Sequence, residues 1–331
     1  MSRRSRALLT VAAAVIVGAA AALAQQAPAP PPQPNFDAVV MQSVRVKPNV
    51  WMIAGAGGNT TIQVGDQGVL VVDTQFAQVA DKLLAEVHRI SDNKPIRYVV
   101  DTHVHPDHVG GNERFRRAGN AIVSGNVAGD VQDNNGAAIF AHENVLFRLL
   151  KPAGDAPAAP AAMLPTDTFF SEREEISFNG EAVELLHQPA AHTDGDVLVF
   201  FRRSDVIATG DVYVNTGYPL IDLAQGGTIN GIVAGLNHII EITVPYDKQE
   251  GGTMVIPGHG RVGDEADVVE YRDMITIIRD RIQEMIKKGM TLPQVKAAAP
   301  TSDYDGRYGA TSGFWTTDLF VEAAYRTLGG K

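Results

Sequence analysis

Four metal-capable side chains directly follow a predicted strand, and this arrangement constrains the fold of the chain more than any other feature. The β-branched run at residues 96–100 predicts the strand, and a His-x-His-x-Asp-His motif comes next: His103, His105, Asp107 and His108. In an extended segment, residues two apart project the same way, so the first two histidines can point at one metal ion. The turn at Pro106 can direct the last two residues towards a second ion. The chain has nine histidines, so three of them beside an aspartate within six residues favour a metal site over ordinary loop histidines.

Three further candidate ligands also follow predicted strands. His192 comes after a strand at 182–187, Asp211 after a strand at 206–209 that ends in Thr-Gly-Asp, and His259 after a strand at 253–256. Nearby glycines allow the backbone to approach closely at each position. Taken singly, a Gly-Asp turn is more often structural than functional. The order of the three residues and their common placement after strands make them candidates together.

The hydrophobic pattern alternates between strands and helices. Apolar residues recur at helical spacing over 76–90 before Pro95, and again over 264–288 before Gly289, which predicts two amphipathic helices. Residues 152–165 are rich in Ala and Pro and predict an irregular surface segment. Period-two and β-branched runs predict strands at 60–64, 68–72, 96–100, 121–124, 182–187, 197–201, 206–209 and 253–256.

The N-terminal segment has the layout of a secretory signal peptide. Arg3, Arg4 and Arg6 precede an apolar run that ends in Ala-Leu-Ala before Gln25. We therefore predict a signal peptide over residues 1–24 and a Pro-rich linker with an N-terminal segment over 25–43. A retained transmembrane anchor is the alternative. The Sec and Tat routes both stay open, and we expect a periplasmic or secreted protein without a stable membrane anchor after cleavage.

Net charge and cysteine content limit the classes of binding partner and the sources of stability that this chain can have. Without the three arginines of the signal segment, 25 basic residues face 38 acidic ones, which gives a net charge of −13. Such a surface repels phosphate backbones, so we expect a small-molecule substrate and no nucleic acid partner. The chain contains no cysteine, which excludes disulfides and a lipid-anchored cysteine, so stability must come from the core.

Taken in order, these candidate ligands resemble the metal-binding motifs of the metallo-β-lactamase superfamily, and the resemblance extends from about Val44 to the C-terminus. It implies an α/β fold of the αββα sandwich type, with two stacked sheets, helices outside, and a single domain over residues 44–331. It also implies a dinuclear site at one edge of the sandwich. One ion would be held by His103, His105 and His192, the other by Asp107, His108 and His259, with Asp211 as the bridge.

The ligand types agree with a hydrolytic metal site. Imidazole and carboxylate groups suit two Zn²⁺ ions, with manganese or iron as substitutes. Two such ions can share a hydroxide that is nucleophilic at neutral pH while they polarise the substrate oxygen. We expect Asp107 to act as the catalytic residue that orients this hydroxide and carries its proton to the leaving group.

Other residues carry weaker signals. Asp73 either hydrogen-bonds near the metal histidines, as the resemblance implies, or caps the N-terminus of the helix that follows it. The loop 55–59 is either a plain hairpin turn or a mobile flap over the site. The segment 212–223, with Tyr213, Asn215, Tyr218 and Pro219, is expected to line the substrate pocket. No role is assigned to His88, His142, His187 and His238.

The reaction class depends on Asp211. The commonest metallo-β-lactamase subclass carries Cys at this position and Lys three residues later, where this chain has Val214, and another subclass carries Ser. The departure argues against efficient β-lactam hydrolysis and resembles glyoxalase II-like thioesterases and lactonases. We therefore predict attack on an ester, lactone, thioester or amide carbonyl by a metal-bound hydroxide. Alternatives are weak β-lactamase activity, an iron-dependent redox enzyme similar to persulfide dioxygenases, and a non-catalytic metal-binding module.

Overall fold

Two β-sheets form the centre of the fold, and the computed structural model describes residues 35–122, 136–151, 157–248 and 251–330. The first sheet has seven strands in sequential order, antiparallel from the first to the fourth and parallel from the fourth to the seventh. They are β1 (Gln42–Lys47), β2 (Val50–Ala54), β3 (Thr60–Gly65), β4 (Gly68–Val72), β5 (Ile96–Val100), β6 (Ala138–His142) and β7 (Asp167–Phe169).

The second sheet has five strands in the order β12-β11-β10-β9-β8. Neighbours are antiparallel except for the last two strands of the sequence, which are parallel. The strands are β8 (Arg173–Phe178), β9 (Glu181–Gln188), β10 (Asp196–Phe201), β11 (Val206–Ala208) and β12 (Met254–Ile256).

Strand alternation explains why both faces of each sheet are buried. In β4, Leu70 and Val72 belong to the core between the sheets, whereas Val69 and Val71 pack with the outer helices. Successive residues of a strand point to opposite faces, so an apolar residue at every position serves two cores. The sheets therefore require a helical layer on each outer side.

Those layers are present. The helices are α1 (Ala80–Ser91), α2 (Pro106–Val109), α3 (Asn112–Ala118), α4 (Glu143–Leu150), α5 (Ile229–Ile242), α6 (Glu265–Lys287), α7 (Leu292–Ala297), α8 (Asp305–Tyr308) and α9 (Thr317–Thr327). Helices α1 and α3 cover the first sheet, and α5, α6 and α9 cover the second. A capping box of Asp264 and Asp267 begins α6. The predicted αββα sandwich is confirmed.

Several predicted elements differ from the structure. The strand predicted at 121–124 is wrong at 121–122, which are irregular, and the rest of it lies outside the described residues. The strand of that region is β6, which begins at Ala138. The sequence pattern did not predict β1, β2, β7 or β8, and of the helices it predicted only α1 and α6. Helix α5 was missed because Gly231 and Gly235 interrupt its pattern; both glycines sit against other parts of the chain, the backbone of Ala190 and the side chain of Val212.

The signal peptide and the linker stay predictions, because residues 1–34 lie outside the described residues. The described residues from 35 on belong to one compact unit, in which β1 begins at Gln42. The irregular segment predicted at 152–165 is described only from 157 on, where a short 3-10 turn occurs at Ala161–Met163. Among the described helices, none is both long and apolar enough to cross a bilayer.

Candidate metal centre

All seven predicted ligands lie at one edge of the sandwich. The loop after β5 and the short helix α2 carry the first motif, and the other ligands follow β9, β11 and β12. Strand β10 is antiparallel to both β9 and β11, and β11 is parallel to β12. Strands β9, β11 and β12 therefore run in the same direction and end at the same edge of the sheet. Strand ends from both sheets therefore meet there.

The structure brings the seven side chains together in two groups. Within each group, one candidate ligand atom per residue lies within 4.8 Å of the others. The first group is His103, His105, His192 and Asp211, and the second is Asp107, His108 and His259. The division agrees with the ligand sets that the resemblance implies.

Each imidazole of the first group is fixed by a hydrogen bond at its outer nitrogen. His103 Nδ1 lies 3.0 Å from Thr102 Oγ1, and that hydroxyl donates to Asp73 over 2.7 Å, so the His103 ring donates to Thr102. His105 Nε2 donates to Asp222 over 2.8 Å. His192 Nδ1 donates to the carbonyl of Leu220 over 2.7 Å. These bonds select the tautomer that leaves the inner nitrogen with a free lone pair.

The second group is more open and contacts Asp211 from the other side. His108 Nδ1 donates to Asp73 over 2.7 Å, and its Nε2 lies 3.3 Å from Asp211 Oδ1. His259 Nε2 lies 3.3 Å from Asp107 Oδ2 and 3.5 Å from the same Asp211 oxygen. The other oxygen of Asp211 lies 3.7 Å from His192 Nε2. The Asp211 carboxylate therefore faces both groups.

The donor atoms fit divalent metal ions. The inner nitrogens of His105 and His192 are 2.9 Å apart although both carry lone pairs, a contact that is repulsive without a cation beside it. His103 Nε2 is buried and has no hydrogen-bond partner among the described residues. A buried polar atom without a partner is costly, and metal coordination removes that cost.

The pKa shifts within the first group favour ligands in their metal-binding form. Burial lowers the pKa of His192 to about 4 and holds the pKa of His103 well below its ordinary value. Burial raises the pKa of Asp211, but the charges of His259 and His108 outweigh it and hold the pKa well below the ordinary value. Neutral imidazoles and an ionised carboxylate bind metal without first losing a proton.

Asp73 supports both groups and is not a helix cap. Its carboxylate accepts from His108 and from the hydroxyl and backbone N–H of Thr102. The turn at Ala77–Val79 that begins the following helical segment has no side-chain cap, which excludes the capping interpretation of Asp73. The hydrogen-bonding interpretation, carried by the resemblance, agrees with this geometry.

The loop 55–59 hydrogen-bonds to two segments that carry candidate ligands, the one with Asp107 and the one with His259. The plain hairpin interpretation did not predict these contacts. Gly58 N donates to the carbonyl of Asp107 over 3.0 Å, and Asn59 donates to the carbonyls of Pro257, Gly258 and Gly260. A Cβ at Gly58 would overlap the ring of His108. Only glycine fits there, because the backbone packs directly on a candidate ligand.

A cavity of about 960 Å³ opens beside the two groups. Four candidate ligands line it: His105, Asp107, Asp211 and His259. The segment 212–223 contributes Val214, Tyr218 and Leu220 among others, so its predicted place on the pocket is right. Of the four residues named in this segment, only Tyr218 lines the cavity. Tyr213 is buried in the core of the second sheet, Asn215 donates to the backbone carbonyl of Arg261, and Pro219 is not among the lining residues.

Two features of the site were missed from the sequence. Asp222 bonds His105, and its second oxygen accepts from the N–H groups of Ala224 and Gln225. An Asp that begins a tight turn ending in Gly226 is a turn signal in the sequence, but nothing local links it to a histidine over a hundred residues away. The other missed feature is a cavity wall from the segment 308–323, which carries no metal-capable motif.

Comparisons with known proteins agree with the fold. A linear primary-alkylsulfatase from Pseudomonas sp. (strain ATCC 19151) is 25% identical over 254 residues, which cover 68% of this chain and 46% of that protein. A metallo-beta-lactamase type 2 from Bacillus cereus is 20% identical over 240 residues, covering 70% of this chain and 81% of that protein. The chain thus spans about half the length of the alkylsulfatase relative.

A solved structure and a family profile complete the comparison. The stereoselective inverting sec-alkylsulfatase of Pseudomonas sp. has a similar fold, with a TM-score of 0.65 and 18% identity, over 88% of this chain and 50% of that chain. The profile described as Metallo-beta-lactamase superfamily matches residues 54–273, which is more than half of the chain. The chain therefore belongs to the metallo-β-lactamase superfamily.

Proposed function

We propose that this protein is an exported dinuclear hydrolase that cleaves an uncharged ester or lactone, or a related thioester or amide. The proposal rests on the geometry of the site: the two ligand groups meet at Asp211 beside the cavity. Among the described residues, the lining of this cavity contains no Lys or Arg. An anionic substrate would find no Lys or Arg side chain there, whereas a neutral carbonyl compound needs none.

The side chains of the two groups would hold two divalent ions, with zinc the best match to their nitrogen and oxygen donors. When bound, such ions supply an activated water and polarise the substrate oxygen. Thr102, Asp222 and the Leu220 carbonyl fix the three imidazoles of the first group, so the site is oriented before substrate arrives.

Asp107 is the residue we propose to move the proton. It lines the cavity, and its Oδ2 lies 3.3 Å from His259 Nε2. Burial raises its pKa, but the hydrogen bond from His259 and the charge of His108 outweigh burial and lower the pKa, so the carboxylate is ionised at neutral pH. An ionised carboxylate facing the cavity can orient the attacking water, accept its proton and pass it to the leaving group.

Hydrolysis of an alkyl sulfate is the second candidate. It is supported by the alkylsulfatase relative and by the apolar side chains of the cavity. The lack of Lys and Arg in the described lining disfavours it, because a sulfate ester is anionic. The β-lactamase relative supports a weak β-lactamase activity to the same limited degree.

The test is a metal-quantified preparation assayed on four neutral or anionic substrate classes: p-nitrophenyl butyrate, a γ-lactone, decyl sulfate and a chromogenic cephalosporin. We expect about two equivalents of zinc and turnover of the ester or lactone. Asp107→Ala is expected to abolish turnover even where metal remains, whereas Asp66→Ala, at a fully exposed carboxylate, leaves it unchanged.

Other outcomes of the same assay decide between the alternatives. Turnover of decyl sulfate alone would replace the carbonyl proposal with the sulfatase one. One equivalent of iron together with oxygen consumption would favour the iron-dependent redox enzyme. Full activity in Asp107→Ala would remove the proton-transfer role from that residue.

The proposal of export rests on the three-part layout of residues 1–24. Expression of the full chain in a Gram-negative host is expected to yield a periplasmic protein whose mature N-terminus is Gln25. A cytoplasmic protein that retains Met1 would contradict export.

A further inference from the structure

The cavity beside the candidate metal residues is shared with the C-terminal part of the chain. Its lining includes Tyr308, Phe314, Trp315, Leu319 and Ala323, all of which lie far from the metal motifs in sequence. Leu220, Leu223 and Phe76 add further apolar surface to the same cavity. A substrate whose reacting group lies at the metal centre is therefore within reach of an apolar wall.

Hydrogen bonds and aromatic stacking hold the apolar wall in place. Ala310 and Thr317 close the loop between them with reciprocal bonds: Thr317 N donates to the Ala310 carbonyl over 2.9 Å, and Ala310 N donates to Thr317 Oγ1 over 3.0 Å. Tyr218 stacks on Phe320 with centroids 4.7 Å apart, and its hydroxyl donates to Asp305 over 2.9 Å. The ends of the loop are thus fixed to the core, and its aromatic residues are presented from a defined position.

Large apolar side chains on this cavity are exposed to an unusual degree. Phe314 is 74% exposed, Leu223 44% and Leu319 40%. Apolar residues scattered singly on a surface need no explanation, but several that converge on one concave site are typical of a ligand pocket. A bound apolar group would remove them from water.

The wall is also electrically neutral. Glu322 is the only charged residue that the segment 308–323 contributes to the described lining, and it is paired with Lys296 over 3.0 Å and with Arg326 over 2.7 Å. A charged group at the far end of a substrate would find no free partner on this wall.

We propose that the segment 308–323 is a specificity subsite that binds an apolar, uncharged part of the substrate, an alkyl chain or an aromatic ring. Phe314, Trp315 and Leu319 are its specificity-determining residues. The inference rests on the proposed function for the position of the reacting group, and it adds that substrates with a medium-length apolar chain are preferred over short ones.

The first test measures kcat/KM of the zinc-loaded protein for p-nitrophenyl esters from acetate to octanoate. We expect kcat/KM to rise with chain length by up to about fourfold per methylene that enters the subsite. Phe314→Ala is expected to lower the octanoate value by about tenfold and to flatten the dependence on chain length. Phe170→Ala is the matched control, because Phe170 is 81% exposed and does not line the cavity. An unchanged chain-length dependence in Phe314→Ala would overturn the inference.

A second test does not depend on catalysis. The chain has two tryptophans, so a Trp51→Phe variant reports on Trp315 alone. We expect 1-octanol to change the fluorescence of Trp315 with saturation, in metal-free as well as zinc-loaded protein, and Phe314→Ala to weaken this binding. Saturable binding without hydrolysis of any ester would contradict the proposed function and support the subsite. No saturable change, or equal binding in Phe314→Ala, would overturn the subsite whatever the activity.

Discussion

The two ligand groups of the candidate metal centre differ in how firmly the protein holds them. In the first group, the outer nitrogens of His103, His105 and His192 are all hydrogen-bonded, and two of the three rings are fully buried. In the second group, only His108 has such a partner among the described residues, and the side chains of His259 and Asp107 are 33% and 23% exposed. Ligands that are oriented in advance lose less entropy on binding. The first group should therefore bind its ion more tightly, and the second should exchange its ion with solvent.

The largest expected effect comes from the residue that belongs to both groups. Asp211→Ala removes the carboxylate that faces His192 at 3.7 Å and His108 at 3.3 Å. We expect metal content to fall at both positions and ester turnover to drop to the background rate, measured by elemental analysis and initial rates on one preparation. Retention of two equivalents of metal in Asp211→Ala would contradict its bridging position.

The next prediction compares one ligand from each group. His259→Ala is expected to lose about one equivalent of zinc and to keep the ion of the first group, because the three fixed imidazoles remain. His103→Ala is expected to lose the tightly held ion. Stoichiometry after gel filtration in the presence of a weak chelator separates the two cases. If His103→Ala kept the tighter ion, the order of affinities inferred from the hydrogen bonds would be reversed.

Loss of a residue that hydrogen-bonds a ligand should affect metal binding less than loss of the ligand itself. Loss of such a partner typically weakens metal binding by about 10–100-fold. Asp222→Ala should weaken only the first group, through His105, whereas Asp73→Ala should weaken both, because it contacts His108 directly and His103 through Thr102. Thr102→Val cuts the second of these routes alone. Zinc affinity from chelator competition is the measurement, and equal effects of Asp73→Ala and Thr102→Val on both ions would disprove the separation.

Much of this site is predictable from the sequence because its information is local. The motif at 103–108 contains four ligands in six residues, and each remaining ligand directly follows a strand with a readable β-branched pattern. The ends of such strands lie at one edge of the sandwich. The αββα fold followed from the same residues by resemblance.

The parts that could not be predicted depend on contacts between distant segments. Asp222 is paired with a histidine 117 positions away, and the apolar wall at 308–323 joins the cavity only after α9 packs on the second sheet. Strand β1 was missed because it is a largely exposed edge strand with a polar sequence, so its side chains show no buried face. Helix α5 was missed because its two glycines argue against a helix locally, although the tertiary packing requires them.

The smallest effect concerns the number of protons that each ligand group releases when it binds a metal ion. In the metal-free protein, burial lowers the pKa of His259, but the carboxylates of Asp211 and Asp107 outweigh burial and raise the pKa to about 9, whereas burial lowers the pKa of His192 to about 4. At pH 7.5 His259 carries a proton that the metal ion must displace, whereas His192 carries none. A zinc titration in weak buffer should therefore release protons mainly as the second group fills.

The raised pKa of His259 also stabilises the metal-free fold below pH 6.5, and this contribution is lost as the pH rises through about 9. His259→Ala should release at least one proton fewer than the unchanged protein, because it is expected to lose the ion of the second group. Burial lowers the pKa of His108 in that group, but the charges of Asp211 and Asp73 outweigh burial and raise it well above its ordinary value. Equal proton release in His259→Ala and the unchanged protein would show that metal binding displaces no proton from His259.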